Sequence, residues 1–357
     1  MQKLACLMMC CLLWLPVTAS EVANIYLADV SADQPQREWQ RAALAQVLNR
    51  VSGESGILER PAIRAELGRA AGYVKQFEAV RHADGNRIRV LLDAERINQL
   101  LIAEQIPVWG AHRPNMLIWL VQQSDGQRQF IRDPEDPVLQ PLKQVLSDYA
   151  LPLTLPLYDI DDLLSLNETD VWAGFWTQIQ QASQRYRPDE VIILMLEQRT
   201  SSVEEPWRLN WQRQQQGRTL RGELAAADAS ELLALYANSL VAELAAQYAV
   251  LPKPENSQLL TLQIDGSMSW QDLLALERSF SQILGVTDVT VNRYQADFSQ
   301  ISLRADISAE QLQQILQFDS RLQAQANRLP AFFSEQSQYQ GQTQSPAPQL
   351  YYRFIGR

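Results

Sequence analysis

The stretch "NMLIWLVQ", Asn115 to Gln122, carries six consecutive apolar residues, Met116 to Val121, between Pro114 and a pair of glutamines. An apolar run this short, without polar alternation, reads as a strand buried on both faces rather than on one. A second run of the same kind is "EVIILMLEQ", Glu190 to Gln198. Strands of this type need helices on each side of the sheet. The sequence supplies them. Val138, Leu142, Val145 and Tyr149 mark one helical face, and Trp172, Phe175, Trp176, Ile179 and Tyr186 mark another. "ASELLALYANSLVAELAAQYAV", Ala229 to Val250, reads as a long closing helix. "LPLTLPLYD", Leu151 to Asp159, reads as a further strand, and "WRLNWQRQ" with "RTLRGELAA" as an antiparallel pair. Residues 108–251 are therefore expected to form a central α/β unit, a mixed sheet with helices on both faces.

Outward from that unit, residues 21–107 and 255–320 read as small β-α-β-β-α modules, so the whole is α+β around an α/β centre. In the first, a strand over Ile25–Val30 precedes "QREWQRAALAQVLNRVSG", a helix with Leu44, Val47, Leu48 and Val51 on one face, closed by Gly53. A short helix follows Pro61. Two strands surround an Asp-Gly-Asn turn, and a helix runs from Ala94 to about Gln105. The second module follows the same order after the linker "PKPENS". Ile88, Val90, Leu92 and Asp93 can be laid beside Ile301, Leu303, Ala305 and Asp306, with Ile97, Leu100 and Leu101 beside Leu312, Ile315 and Leu316. Such an alignment fits either a structural repeat or the common grammar of strand, Asp and amphipathic helix. Residues 321–357 read as a mostly disordered tail, since "SEQSQYQGQTQSPAPQ" is rich in Gln, Ser and Pro. The terminal "LYYRFI" is too apolar for such a role. It is expected either to dock on its own chain as an edge strand or to add to a partner's sheet.

Residues 1–20, "MQKLACLMMCCLLWLPVTAS", combine Lys3, an apolar run from Leu4 to Leu15 and small residues at Ala19 and Ser20. That pattern is a secretory signal peptide with cleavage near Ala19 or Ser20, which places the protein in the periplasm. All three cysteines, Cys6, Cys10 and Cys11, lie in this segment, so the mature chain would hold no disulfide or thiolate metal site. No later apolar run, Val191 to Leu196 included, approaches the length of a membrane span. With 31 basic against 41 acidic residues the net charge is −10, and the basic residues are scattered among Glu and Gln. A nucleic-acid binder would gather them on one face, so nucleic acid is not an expected partner.

No motif specifies a reaction. G-x-x-x-x-G-K-[ST], G-x-G-x-x-G and G-x-S-x-G are missing, and the only histidines are His82 and His112. No metal or cofactor is expected. The acidic candidates are "YDIDD" (Asp159, Asp161, Asp162) with Glu168 and Asp170, and "RDPEDP" (Asp133, Glu135, Asp136). Alternating oxygen ligands suit Ca²⁺, but carboxylates that open helices serve as caps, the reading preferred here. Trp207 and Trp211 share one face of a strand and suit either a sugar- or peptide-binding platform or the core, core being preferred. Trp109, His112, Arg113, Pro114 and Trp119 fall between the first module and the central unit. They read as a packed hinge, with the two tryptophans filling the join, rather than a catalytic site.

Several segments together resemble the exported proteobacterial proteins of domain-of-unknown-function family 2066. They are "RVSG" (Arg50–Gly53), "PVWGAHRPNMLIWL" (Pro107–Leu120), "PLYDIDD" (Pro156–Asp162), "VWAGFW" (Val171–Trp176) and "ASQRYRPDEVII" (Ala182–Ile193). That resemblance implies export and no known activity. In element order the central unit is also similar to the amino-terminal domain of the Tol-Pal propeller protein and to the flagellar outer-ring protein T. The Arg113–Pro114 strand opening and "RYRPDEVIILML" carry this likeness, which is one of fold. Export, missing catalytic motifs and chained modules lead to the expectation of a non-enzymatic periplasmic adaptor or assembly factor that meets envelope proteins. The alternative is a periplasmic hydrolase or glycan-binding protein using the "YDIDD" acids or Trp207 and Trp211. The oligomeric state is left open.

Overall fold

The computed structural model describes residues 24–82, 85–199, 204–215, 218–325 and 349–356. The expected signal peptide and most of the polar tail, residues 326–348, lie outside the described residues. The architecture is three sheets, mixed or antiparallel, each packed against helices. No helix among the described residues is long and apolar enough to cross a membrane.

The first module runs β1 (Leu27–Ser31), α1 (Gln36–Ser52), α2 (Pro61–Leu67), β2 (Val74–His82), β3 (Gly85–Leu92) and α3 (Ala94–Ala103). Its antiparallel sheet has the order β1-β3-β2. Ala43, Leu44, Val47, Leu48 and Val51 form the buried face of α1, against Val90 and Leu92 of the sheet. Gly53 ends α1 in the left-handed conformation (φ 65°), its N–H donating to the Asn49 carbonyl. A Cβ there would lie 2.2 Å from the Ala245 Cβ of the central unit, so glycine is required twice over.

The central unit runs β4 (Met116–Ser124), β5 (Gln127–Phe130), α4 (Gln140–Asp148), β6 (Leu153–Thr154), α5 (Ile160–Ser165), α6 (Glu168–Ala173), α7 (Trp176–Ser183), β7 (Glu190–Gln198), β8 (Trp207–Gln215), β9 (Arg218–Ala226) and α8 (Ala229–Tyr248). The sheet order is β5-β4-β7-β8-β9, with β4 and β7 parallel and β7, β8 and β9 antiparallel. Strand alternation explains the solid apolar runs. Met116, Ile118 and Leu120 face α4 and α8 together with Ile192, Leu194 and Leu196. Leu117, Trp119 and Val121, with Ile193 and Met195, pack on the opposite face beneath the segment 158–186.

Three local expectations change. Of Leu151–Asp159 only Leu153–Thr154 is strand, because Pro152 and Pro156 have no N–H for a ladder. The aromatic helix is two helices. Gly174, left-handed at φ 69°, ends α6, and Phe175 stands half exposed before α7. β5 was not foreseen; it hairpins back onto β4 through Asp125 and Gly126, both at positive φ.

The third module has β10 (Gln258–Asp265), α9 (Trp270–Ser281), β11 (Val286–Tyr294), β12 (Phe298–Ala305), α10 (Ala309–Leu316), β13 (Leu322–Ala324) and β14 (Gln349–Phe354). Its order β11-β12-β10 repeats β2-β3-β1, and Leu303 sits opposite Leu260 as Val90 sits opposite Ala28. Beyond β10 the sheet gains β14, parallel, and then β13. Leu322–Ala324 therefore departs from the disordered tail expected from residue 321. The aromatic end docks on its own chain, burying Leu350, Tyr352 and Phe354.

Tyr352 is buried, and among the described residues its hydroxyl has no hydrogen-bond partner. Its ring supplies apolar burial, while the hydroxyl subtracts from it. Thermal unfolding should show Tyr352→Ala destabilised by about 3–5 kcal/mol. Tyr352→Phe should be at least as stable as the parent, and a clear loss would disprove this reading of β14.

Candidate functional site

The joint between the first module and the central unit is built around Arg113. It is 3% exposed, and among the described residues no carboxylate pairs with it. The guanidinium donates instead to the carbonyls of Arg50 (2.9 Å), Trp109 (3.1 Å), Gly110 (3.1 Å) and Tyr149. It also lies over the Trp109 ring, 4.2 Å from the centroid. Burial, with the neighbouring Arg50 charge, draws its pKa down to about 9. Arg50 makes the reciprocal tie, donating to the carbonyls of Asp148 (2.7 Å) and Leu27 (2.6 Å). Trp109 and Pro114 are buried in this join, and His112 is half-buried at its rim, where Asp319 of the third module opposes its downward shift by burial. Trp119 is a correction. It is not in the join but on the other face of β4, donating from Nε1 to Ser183 Oγ (2.9 Å) among Phe130, Tyr158 and Tyr186.

The "YDIDD" acids are sorted by the fold. Asp159 caps α5, accepting from the Asp162 N–H, and takes a two-pronged bond from Arg185 at 2.7 and 2.8 Å. Arg185 is the main reason its carboxyl drops to about 2. Asp162 is buried, at 1% exposure, and accepts from the Tyr158 N–H (2.8 Å), the Tyr186 hydroxyl (2.5 Å) and Arg185 (3.1 Å). Burial and the bond to Asp162 push the Tyr186 phenol up to about 12. Asp161 is exposed in the first turn of α5. The cluster is a cap and a latch, its carboxylates directed at N–H groups, a phenol and a guanidinium. Among the described residues no group of three or more His, Cys, Asp or Glu is arranged to hold a metal.

The latch turns α5 inside out. A surface helix normally buries its apolar residues and exposes its acids. Here Asp162 is inside, while Leu157, Ile160 and Leu164 are 69%, 76% and 82% exposed and Leu163 is also exposed. Four large aliphatic side chains thus cluster along eight residues of surface, flanked by Asp159 and Asp161. The remaining candidates are structural in placement. Trp207 and Trp211 are half-buried against the core under α8, with Trp211 5.7 Å from the Tyr236 ring. Buried Arg213 pairs with Glu190 (3.0 Å) and Glu243 (2.5 Å), joining β7, β8 and α8. Asp170 closes a capping box with Asn167, Glu168 meets Arg132, Asp133 accepts from the Glu135 N–H, Asp136 caps the turn before α4, and Glu135 meets Lys143.

No sequence motif points to Arg185, Tyr186 or the exposed aliphatics. The signal available was Asp159 with Asp162 three residues on, a capping arrangement, followed by a leucine pair in too short a helix to bury both faces.

A family described as a domain of unknown function (DUF8605) matches residues 19–110. It covers the first module, differs from the family that the quoted segments resemble, and stops before β4, the first strand of the central sheet. No curated protein matches the chain.

Two measurements test these assignments. Trp109→Ala should cost about 3–5 kcal/mol, as a buried aromatic does, whereas His112→Ala at the rim should change the melting temperature little; equal losses would contradict the joint described. For the latch, the folded pKa of Asp159 lies below its ordinary value of 3.8. Its contribution is therefore present above that value and is lost as pH falls toward about 2. A carboxyl ¹³C titration should place its midpoint near 2, rising toward 3.8 in Arg185→Gln; a midpoint already at 3.8 in the parent would remove the latch.

Proposed function

We propose that this chain is an exported, non-enzymatic adaptor or assembly factor of the cell envelope, and that α5 is where it meets an envelope protein. The observation that carries this reading is the reversed helix: Ile160 and Leu164 stand in solvent because Asp162 is held inside by Arg185 and Tyr186. Fully burying a leucine or isoleucine is worth about 1.5–3 kcal/mol, so an arrangement that forgoes this at several positions favours a binding surface. The signal-like residues 1–20 and the resemblance to an exported family support the periplasm as its place. The flanking Asp159 and Asp161 suit a partner surface with an apolar centre and basic margins.

A photo-crosslinking residue placed at Leu164 or Ile160 in living cells tests the reading. It should trap a discrete envelope protein, whereas the same residue at exposed Thr177 on α7 should not. Leu164→Asp should abolish the crosslink from position 160 while changing stability by less than about 0.5 kcal/mol. Equal trapping from Thr177, or none from either α5 position, would overturn it. Tight binding of peptidoglycan fragments that survives Leu164→Asp would favour the glycan-binding alternative.

A further inference from the structure

Between α4 and α5 the chain runs extended along the edge of the central sheet, and part of its backbone is left unpaired. Leu153 and Thr154 pair in parallel with Met116 and Leu117, and the Met116 N–H donates to the Pro152 carbonyl at 3.0 Å. In a parallel ladder with this pattern the N–H and C=O of Leu153 point away from β4. Those of Leu155, two residues on, point the same way. Among the described residues none of these four groups has a hydrogen-bond partner. The outward amides on either side are tied off: Leu151 donates to the Leu146 carbonyl (2.8 Å) and Leu157 to the Tyr186 hydroxyl (2.9 Å). What is left is an open edge two outward residues long.

This edge borders a cleft of about 540 Å³ between the first module and the central unit. Leu27, Leu146, Leu153 and Leu155 line it, with the cations Arg50 and Lys143. A mostly apolar cleft of this size with a few charged groups is the usual form of a ligand site. Arg50 uses Nε and Nη1 on the carbonyls of Asp148, Ile25 and Leu27, and no partner for its Nη2 is found among the described residues. Two other edges in the molecule are closed. On β1 the Asp29 N–H donates to Gln46 and its carbonyl accepts from Arg87, while the Leu27 carbonyl accepts from Arg50. On β10 the edge is filled by β14.

We propose that the edge at Leu153 and Leu155 receives an extended, mainly apolar peptide segment of another protein, which adds as a strand outside β6. Its backbone satisfies the four free groups, alternate apolar side chains enter the leucine-lined cleft, and a carboxylate reaches Arg50. The proposal rests on the adaptor reading only in that the ligand is a protein segment; it uses a different surface from the α5 patch.

The test uses the full mature chain, immobilised, with a library of random heptapeptides displayed with free C-termini. Expected enrichment is of alternating apolar sequences carrying a carboxylate. Individual synthetic peptides should weaken by at least about fivefold, the net worth of one backbone hydrogen bond, when the bonding amide is N-methylated. The same loss is expected for Leu155→Pro, which removes a donor that has no partner among the described residues. Because the Leu155 side chain also packs against the central core, the variant's melting temperature should fall somewhat while the protein stays folded. If that variant does not fold, N-methylation still decides. A free-acid peptide binding better than its amide assigns the carboxylate to the C-terminus; equal binding assigns it to an acidic side chain. Enrichment of no sequence, or binding indifferent to both N-methylation and Leu155→Pro, overturns the proposal. Peptide binding lost in Leu164→Asp but kept in Leu155→Pro leaves the α5 reading standing and sinks this one. Binding that is sensitive to Leu155→Pro, with no crosslink from α5, does the reverse.

Discussion

Arg113 is a buried cation with no counter-ion among the described residues, and the relative placement of the first module and the central unit depends on it. A charge removed from water must recover its solvation from fixed dipoles, and four carbonyls supply them. Those carbonyls come from the end of α1, the connection at Trp109–Gly110 and the end of α4. None can shift without leaving a donor of the charged group unsatisfied, a loss that costs about 1–3 kcal/mol for a buried donor and more where it carries charge. The placement has consequences further out. It brings the left-handed Gly53 turn against Ala245 and holds Arg50 and Leu27 opposite Leu146 and Leu153, which makes the cleft.

A second polar group shapes the opposite face. Asp162 is stable inside only because an amide, a phenol and a guanidinium converge on it. α5 is six residues long, too short to bury both an acid and its aliphatic side chains in different directions. With the acid inside, the leucines go out. The same segment thus carries backbone groups at Leu153 and Leu155 that have no partner among the described residues, and exposed side chains at Leu157, Ile160 and Leu164, within a dozen residues of one another.

The outer modules differ at one edge. They share strand order and pairing, yet β10 accepts the terminal strand β14 while β1 is closed by Gln46, Arg50 and Arg87. An uncovered edge is a template for pairing. Closing it with side chains and closing it with the chain's own end are two answers to the same constraint.

Much of this was readable one residue at a time. The apolar runs Met116–Val121 and Val191–Leu196 required a sheet covered on both faces, because local periodicity reports how many faces a strand buries. Gly53, Pro61 and the alternation in β3 likewise marked their elements, since caps and turns depend on neighbours in sequence. What lay beyond reach depended on groups distant along the chain. Nothing near Asp162 announces Arg185 or Tyr186, and nothing near Trp119 says that it faces Ser183 rather than the join. Pro152 and Pro156 hinted that "LPLTLPLYD" was a poor strand, but only the neighbours of β4 reveal which of its amides are left without partners. The sequence by itself determined most of the elements and, for β4 and β7, that both faces are buried. The tertiary structure alone decided which polar groups are satisfied and which apolar side chains are therefore left outside, because hydrogen bonding and burial are settled by whatever the fold brings within about 3 Å.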